Sequence, residues 1–285
     1  MILRKTYRLF EEKERELVYE EVQNEKGQIT SYTDFQGDEP SRGIKEYNDQ
    51  NKLIKEAEFI GGIEVSRIEY SYNSEGKTVS LKQFVSGELI AENLYEYSGQ
   101  KTIQRSFQNG IEQTKIIESQ EDDRYTKEYF DGDELWELLV KTYNPVTRSA
   151  AIEIRGGDNR LIETGNQKFD DKKNLVKSEQ RNRNGKLLEL SEFKYRKGKV
   201  ILEKYENHDE DEYHDMHYDY DVNLNMISEE KRTPSGKLLG YQKKSYDNQN
   251  RLIWENGFYY GSSNTVYRAH TYGENYTFEH EYHDQ

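Results

Sequence analysis

The stretch Ile68-Glu69-Tyr70-Ser71-Tyr72-Asn73-Ser74-Glu75-Gly76-Lys77 decides the fold class. Ile68, Tyr70 and Tyr72 alternate with polar residues, the period-two pattern of a half-buried strand. Asn73 to Lys77 then supplies Asn and Gly where a tight turn needs φ > 0. Leu89-Ile90-Ala91-Glu92-Asn93-Leu94-Tyr95-Glu96-Tyr97 repeats the strand pattern, and Asn24-Glu25-Lys26-Gly27-Gln28, Asn184-Gly185-Lys186 and Asp247-Asn248-Gln249-Asn250-Arg251 repeat the turn. Ile63 and Val65 fall on the opposite parity to Ile68, Tyr70 and Tyr72, which predicts a bulge or twist between them.

Outward from this stretch the same aromatic-plus-turn pair recurs: Tyr47-Asn48, Tyr72-Asn73, Tyr97-Ser98, Tyr143-Asn144, Phe169-Asp170, Tyr220-Asp221 and Tyr246-Asp247, with Tyr195 and Tyr272 in the same slots. Successive slots lie about 25 residues apart, the signature of a tandem-repeat architecture. Gly37, Gly62, Gly87, Gly185 and Gly236 run in phase, each ahead of a slot aromatic by one fixed interval, and Gly132 and Gly261 by one residue more. Each unit therefore reads turn, strand, turn, strand. Between Tyr97 and Tyr143 about two periods elapse, so the unit near Glu121-Asp122-Asp123-Arg124-Tyr125 reads as degenerate or enlarged.

The predicted fold is all-β: tandem hairpins in an elongated, twisted antiparallel sheet, an open superhelix or a partly closed shell. Residues 1–285 form one repeat domain, with 1–21 an N-terminal cap hairpin or short helix, 22–272 the repeats and 273–285 an edge strand. Within the first segment, strand is favoured over helix for Glu11 to Glu21. The tyrosine ladder is expected on one face and the charged residues on the other. The run Tyr267 to Tyr282, with His270, His280 and His283, reads as the last strand pair.

Composition narrows the function. Only 33% of residues are hydrophobic and 34% are charged, with a mean hydropathy of −1.15, so the core is thin. Twenty-four tyrosines offset this, since each ring brings an apolar body and a polar tip. No cysteine is present, which removes disulfide frameworks and cysteine–zinc sites. The basic start Met1-Ile2-Leu3-Arg4-Lys5 runs straight into charged sequence, and no apolar run approaches the ~20 residues that span a bilayer. The expected location is cytoplasmic, with no membrane partner. A net charge of −14 disfavours nucleic acid and favours basic protein partners.

Asn184-Gly185-Lys186-Leu187-Leu188-Glu189, Ser235-Gly236-Lys237-Leu238-Leu239-Gly240 and Tyr246-Asp247-Asn248-Gln249-Asn250-Arg251-Leu252-Ile253 resemble two related repeat families. One is the YD repeat of Rhs and teneurin shells, and the other the MORN-variant repeat of antitoxins encoded beside bacterial polymorphic toxins. The second resemblance implies a cytosolic immunity protein that binds a cognate toxin, occludes its active site and uses no cofactor. The first implies a surface or wall module that binds carbohydrate on aromatic strand faces.

The densest chemical cluster is Glu206-Asn207-His208-Asp209-Glu210-Asp211-Glu212-Tyr213-His214-Asp215-Met216-His217-Tyr218-Asp219-Tyr220-Asp221. His214 and His217 differ by an odd number, so on a strand they face opposite sides and make a poor metal pair. Asp209 to Glu212 lacks the spacing of an EF-hand calcium loop. Rings interleaved with carboxylates suit a docking surface instead, with Glu206, Asp209, Glu210, Asp211, Glu212, Tyr213, Asp215, Tyr218 and Asp219 as the candidate contacts. No Gly-x-Ser-x-Gly elbow, phosphate-binding loop or His-Glu-x-x-His motif occurs, so no enzyme and no catalytic residue is expected.

Overall fold

The computed structural model describes residues 1–10, 14–258 and 275–284, the side chain of Asn275 excepted. These residues form twenty-two strands in chain order. They are β1 (Ile2–Leu9), β2 (Arg15–Gln23), β3 (Ile29–Asp34), β4 (Ser41–Tyr47), β5 (Leu53–Ile60), β6 (Ile63–Tyr72), β7 (Thr78–Val85) and β8 (Glu88–Ser98). Next come β9 (Lys101–Gln108), β10 (Ile111–Glu121), β11 (Arg124–Asp131), β12 (Glu134–Asn144), β13 (Ser149–Gly156), β14 (Leu161–Phe169) and β15 (Leu175–Asn182). The last are β16 (Leu187–Arg196), β17 (Lys199–Asn207), β18 (Glu212–Tyr220), β19 (Met226–Arg232), β20 (Leu238–Tyr246), β21 (Leu252–Phe258) and β22 (Asn275–Asp284).

Every strand pairs antiparallel with its sequence neighbours, and β22 pairs with β1 from Ile2↔Asp284 to Arg8↔Phe278. The sheet is therefore a closed up-and-down barrel, not the open or partly closed sheet expected from the repeat. The expected edge strand, β22, lies between β21 and β1. Closure pairs the two ends of the sheet and so satisfies the backbone groups that an open edge leaves bare. The segment 15–23 is strand. Residues 11–13 lie outside the described residues, as do Gly261, His270, Tyr272 and the first half of the run from Tyr267 to Tyr282.

The turns at one end show why the aromatic-plus-Asn/Asp pair recurs. Asn73 Oδ1 accepts the amides of Glu75 (3.0 Å) and Lys77 (2.9 Å), while the Gly76 amide donates to the Asn73 carbonyl at 2.9 Å. Gly76 has φ of 76°, which gives a three-residue loop closed by a left-handed residue and a bulge. Asn24, Asn48, Asp170, Asp221 and Asp247 build the same turn. The tyrosine before the turn bonds sideways. Tyr47, Tyr72, Tyr97, Tyr195, Tyr246 and Tyr282 each donate their hydroxyl to the carbonyl of the residue opening the preceding strand, at 2.6–3.1 Å.

The unit between Tyr97 and Tyr143 is not enlarged, and it is degenerate only in lacking the slot aromatic. It is a regular hairpin, β9–β10, whose slot holds Gln120, and the Gln120 amide bonds across to Gln100 as the Tyr143 amide does to Asp123. Tight turns such as Asn109-Gly110, with φ of 49° and 78°, shorten it. The predicted parity break in β6 is a bulge where Glu58 and Phe59 face Ser66 and Glu64, leaving Val65 extra.

Register places Tyr70, Tyr95, Tyr129, Tyr205, Tyr276, Tyr19 and Tyr32 on one face of the sheet. Among the described residues, all buried side chains except Val18 and Ala57 share this ladder face, including Thr6, Glu21, Glu255, Phe278 and His280. Crowding of that kind identifies the concave side, which lines the lumen. Charges do not keep to the other face as expected. Lys45–Glu56 and Lys127–Glu118 ion pairs stand on the ladder face, while Lys55–Glu46, Lys82–Glu92 and Lys177–Glu192 stand on the outer one. The accessible surface is 17827 Å², against about 12,800 Å² for a compact chain of this mass. Among the described residues, each strand's backbone approaches only those of its two ladder neighbours. Both faces of the wall are wet.

Candidate binding surface at one mouth of the barrel

The sixteen-residue acidic stretch folds as the end of β17, a tip and the whole of β18. Asn207 fixes the tip: its Oδ1 accepts the amides of Asp209 and Glu210, both at 3.0 Å. The His208 amide donates to the Leu188 carbonyl at 2.8 Å, and Asp211 takes φ of 53°. The His208 ring is held between Glu206 (3.1 Å) and the Tyr213 hydroxyl (3.2 Å), with the Tyr213 ring edge-on at 5.4 Å. Asp209, Glu210 and Asp211 thus project from a turn whose backbone is already set.

The strand pleat divides the remaining candidates. Glu206, Tyr213, Asp215 and Asp219 lie on the outer face, whereas Glu212 and Tyr218 point to the lumen face. Counter-ions already serve three of the acids. Lys186 meets Asp209 at 2.9 Å, Lys231 meets Glu212 at 2.9 Å and Arg196 meets Asp219 at 3.7 Å, while Glu206 lies against the His208 ring. Glu210, Asp211 and Asp215 make no ion pair among the described residues. Lys231 holds the Glu212 carboxyl below its ordinary range. On the lumen face, burial raises Glu203 and, together with the charges of Glu203 and Glu229, pushes the Tyr218 phenol well up. Burial lowers His214, whose ring lies tilted against that of Tyr205 at 5.1 Å. His208, His214 and His217 lie on the tip, the lumen face and the outer face. Among the described residues no three His, Asp or Glu side chains converge as a metal set.

A second constellation, unseen in the sequence, sits at the seam. Thr6 Oγ1 lies 3.0 Å from His280 Nδ1, and His280 Nε2 lies 3.8 Å from Glu255. Gln242 donates to Glu255 at 3.3 Å and to the Tyr276 hydroxyl at 3.0 Å. Burial takes His280 down to about 3, Tyr276 up to about 12 and Glu255 above its usual range. Hydroxyl, imidazole and carboxylate in a row suggest a nucleophile, but Thr6 is 0% exposed and its oxygen is closed to substrate. The cluster joins strands from opposite ends of the chain. No spacing rule could have found it, because Thr6 and His280 are 274 residues apart. Exposed aliphatic residues at several hairpin tips also carry a signal in the sequence, an apolar residue next to or within two positions of a turn glycine, as in Gly62-Ile63, Gly110-Ile111 and Gly87-Glu88-Leu89.

No known protein-family profile matches the sequence, and no curated protein matches it. Among solved structures, a porin-like protein from Bacteroides uniformis is 7% identical, with a TM-score of 0.39 over 99% of this chain and 97% of that one. A porin-like protein from Bacteroides vulgatus is 12% identical, with a TM-score of 0.24 over 86% and 98%. The Photorhabdus luminescens Tc holotoxin pore is 12% identical, with a TM-score of 0.28 over 84% of this chain and 16% of that one. Likenesses this distant carry no argument about this chain.

Proposed function

We propose that this barrel is an inhibitory binding protein that engages a basic partner protein at the mouth bearing the β17–β18 tip, as an immunity protein engages the toxin it neutralises. The observation that carries the reading is the pre-set tip Asp209-Glu210-Asp211 on a chain of net charge −14. Fixed carboxylates steer a basic partner and lose little entropy on contact, so they act chiefly on the association rate. Loops on a rigid scaffold are the usual place for such contacts.

The barrel works in water on this reading, in the cytosol beside its partner. A lipid-embedded barrel needs an outward apolar band, and a Lys or Arg at the bilayer midplane costs about 2–4 kcal/mol. Mid-strand charges stand on both faces here.

Co-expression with the product of the adjacent reading frame tests the reading. Rescue of growth and co-purification are expected. A neighbour that is harmless, or that stays toxic beside this chain, ends the immunity reading. In low salt, Asp209→Lys, Glu210→Lys and Asp211→Lys together should slow association about tenfold or more, and an unchanged rate would remove the tip from the interface.

A further inference from the structure

The mouth that carries the acidic tip is built by all the odd-to-even hairpins, and four consecutive ones differ from the rest. The β5–β6 tip reads Ile60-Gly61-Gly62-Ile63-Glu64 and the β7–β8 tip Val85-Ser86-Gly87-Glu88-Leu89. The β9–β10 tip reads Gln108-Asn109-Gly110-Ile111-Glu112, and the β11–β12 tip Phe130-Asp131-Gly132-Asp133-Glu134-Leu135-Trp136. Ile63 is 72% exposed, Ile111 67% and Trp136 51%, with Ile60, Val85 and Leu89 also exposed. Register puts Ile60, Ile63, Val85 and Ile111 on the lumen face, so this apolar arc curls into the mouth. Contiguous exposed apolar residues rimmed by polar ones mark interaction sites.

The charges around the arc say what could cover it. These tips contain no Lys or Arg and carry Glu64, Glu88, Glu112, Asp131, Asp133 and Glu134. Arg67, Arg105 and Lys115, farther along the strands, answer Glu64, Glu112 and Asp133. Glu88, Asp131 and Glu134 have no cationic partner among the described residues. A second copy of this chain would bring like charge to like charge, at a cost that rises with −14 on each copy. Geometry narrows the occupant further. One apolar anchor per hairpin recurs every second strand, about 10 Å apart. That spacing fits an apolar row repeating every two turns of a helix, about 11 Å.

We infer that the arc from Ile60 to Trp136 receives an amphipathic helix of the partner, apolar toward Ile63, Ile111 and Trp136 and basic toward the surrounding carboxylates. This rests on the basic-partner reading above and names the segment that docks. The hydrophobic face supplies the residence time and the carboxylates the approach.

The probe is a synthetic helix with Leu along one face and Lys along the other, titrated by fluorescence anisotropy against the full chain. A second peptide replaces every Leu by Ser. The Leu helix should bind about tenfold or more tightly than the Ser peptide, and the combined Ile63→Ser, Ile111→Ser and Trp136→Ser variant should erase the difference. Unchanged circular dichroism of the variant shows that the barrel survives, and Ile111→Ser alone provides a milder form. Equal binding of the two peptides, or an inert triple substitution, overturns the inference and leaves the basic-partner reading standing. If neither Lys peptide binds and the neighbouring gene product does not bind, both fall. Sedimentation of the chain alone supplies the last arm: a dimer abolished by the triple substitution would assign the arc to a second copy and overturn the inference.

Discussion

Tyr72 and Asn73 are adjacent and do different work. The Tyr72 hydroxyl ties the end of its strand to the start of the preceding one at Leu53, while Asn73 stands in for backbone acceptors inside its own turn. Tyr72→Phe should lower stability by about 0.5–1.5 kcal/mol and Asn73→Ala by about 1–2 kcal/mol, read from urea midpoints. Loss of neither would make the motif ornamental. Where the slot holds aspartate, pH enters. Hydrogen bonds from Arg251 and Gln249 hold the Asp247 carboxyl below its ordinary range, and Asn174 and Asn225 do the same for Asp170 and Asp221. A folded-state value below the unfolded one adds stability above about pH 4, which is lost as pH falls through the folded value. Asp247→Asn keeps the acceptor and removes the proton, so its acid unfolding should be shallower than that of the native chain. Identical acid profiles would contradict this account. At this scale the sequence was readable, because each turn is made from residues within five positions of one another.

Whole elements were readable too, up to the faces they present. Strand alternation located the ladder, the bulge at Val65 and the acidic hairpin. It did not separate Glu212 and Tyr218, which point into the lumen, from Asp215 and Asp219, which point out. Their odd and even spacing held that information, but which face is inside depends on closure. The expectation of an enlarged unit before Tyr143 arose because Gln120 fills a slot held elsewhere by an aromatic. The seam between β21, β22 and β1 makes its own prediction. His280 is held neutral by burial, with Arg4 also opposing its charge and Thr6 and Glu255 beside it. Its folded value of about 3 lies below the ordinary 6.5, so the unfolded chain takes the proton first as pH falls. Relative to His280→Gln, the native chain should lose stability below about pH 6.5, at up to about 1.4 kcal/mol per unit. Glu255, raised by burial, contributes with the opposite sign in both proteins. Urea midpoints collected across this range decide the matter, and parallel curves for the two proteins would refute a buried neutral imidazole.

For the molecule as a whole, the repeat dictated a sheet that grows by one hairpin at a time, and nothing local in it says where growth stops. Closure depends on β1 meeting β22, two segments at opposite ends of the chain whose pairing no periodicity announces. That pairing turns a ribbon with two faces into a wall with a wet lumen and two mouths, and it gathers the acidic tip and the apolar arc onto one mouth. The binding reading depends on it. A cysteine pair tests it most directly, since the chain has no cysteine of its own. Leu3 and His283 are register partners across the seam, and facing residues of an antiparallel pair are about 4.5–5.5 Å apart at Cα, within disulfide range. Leu3→Cys with His283→Cys should oxidise to an intramolecular disulfide in the folded monomer, giving a faster-migrating band that reductant removes. A pair that stays reduced, or that links only between molecules, would mean that the sheet is open.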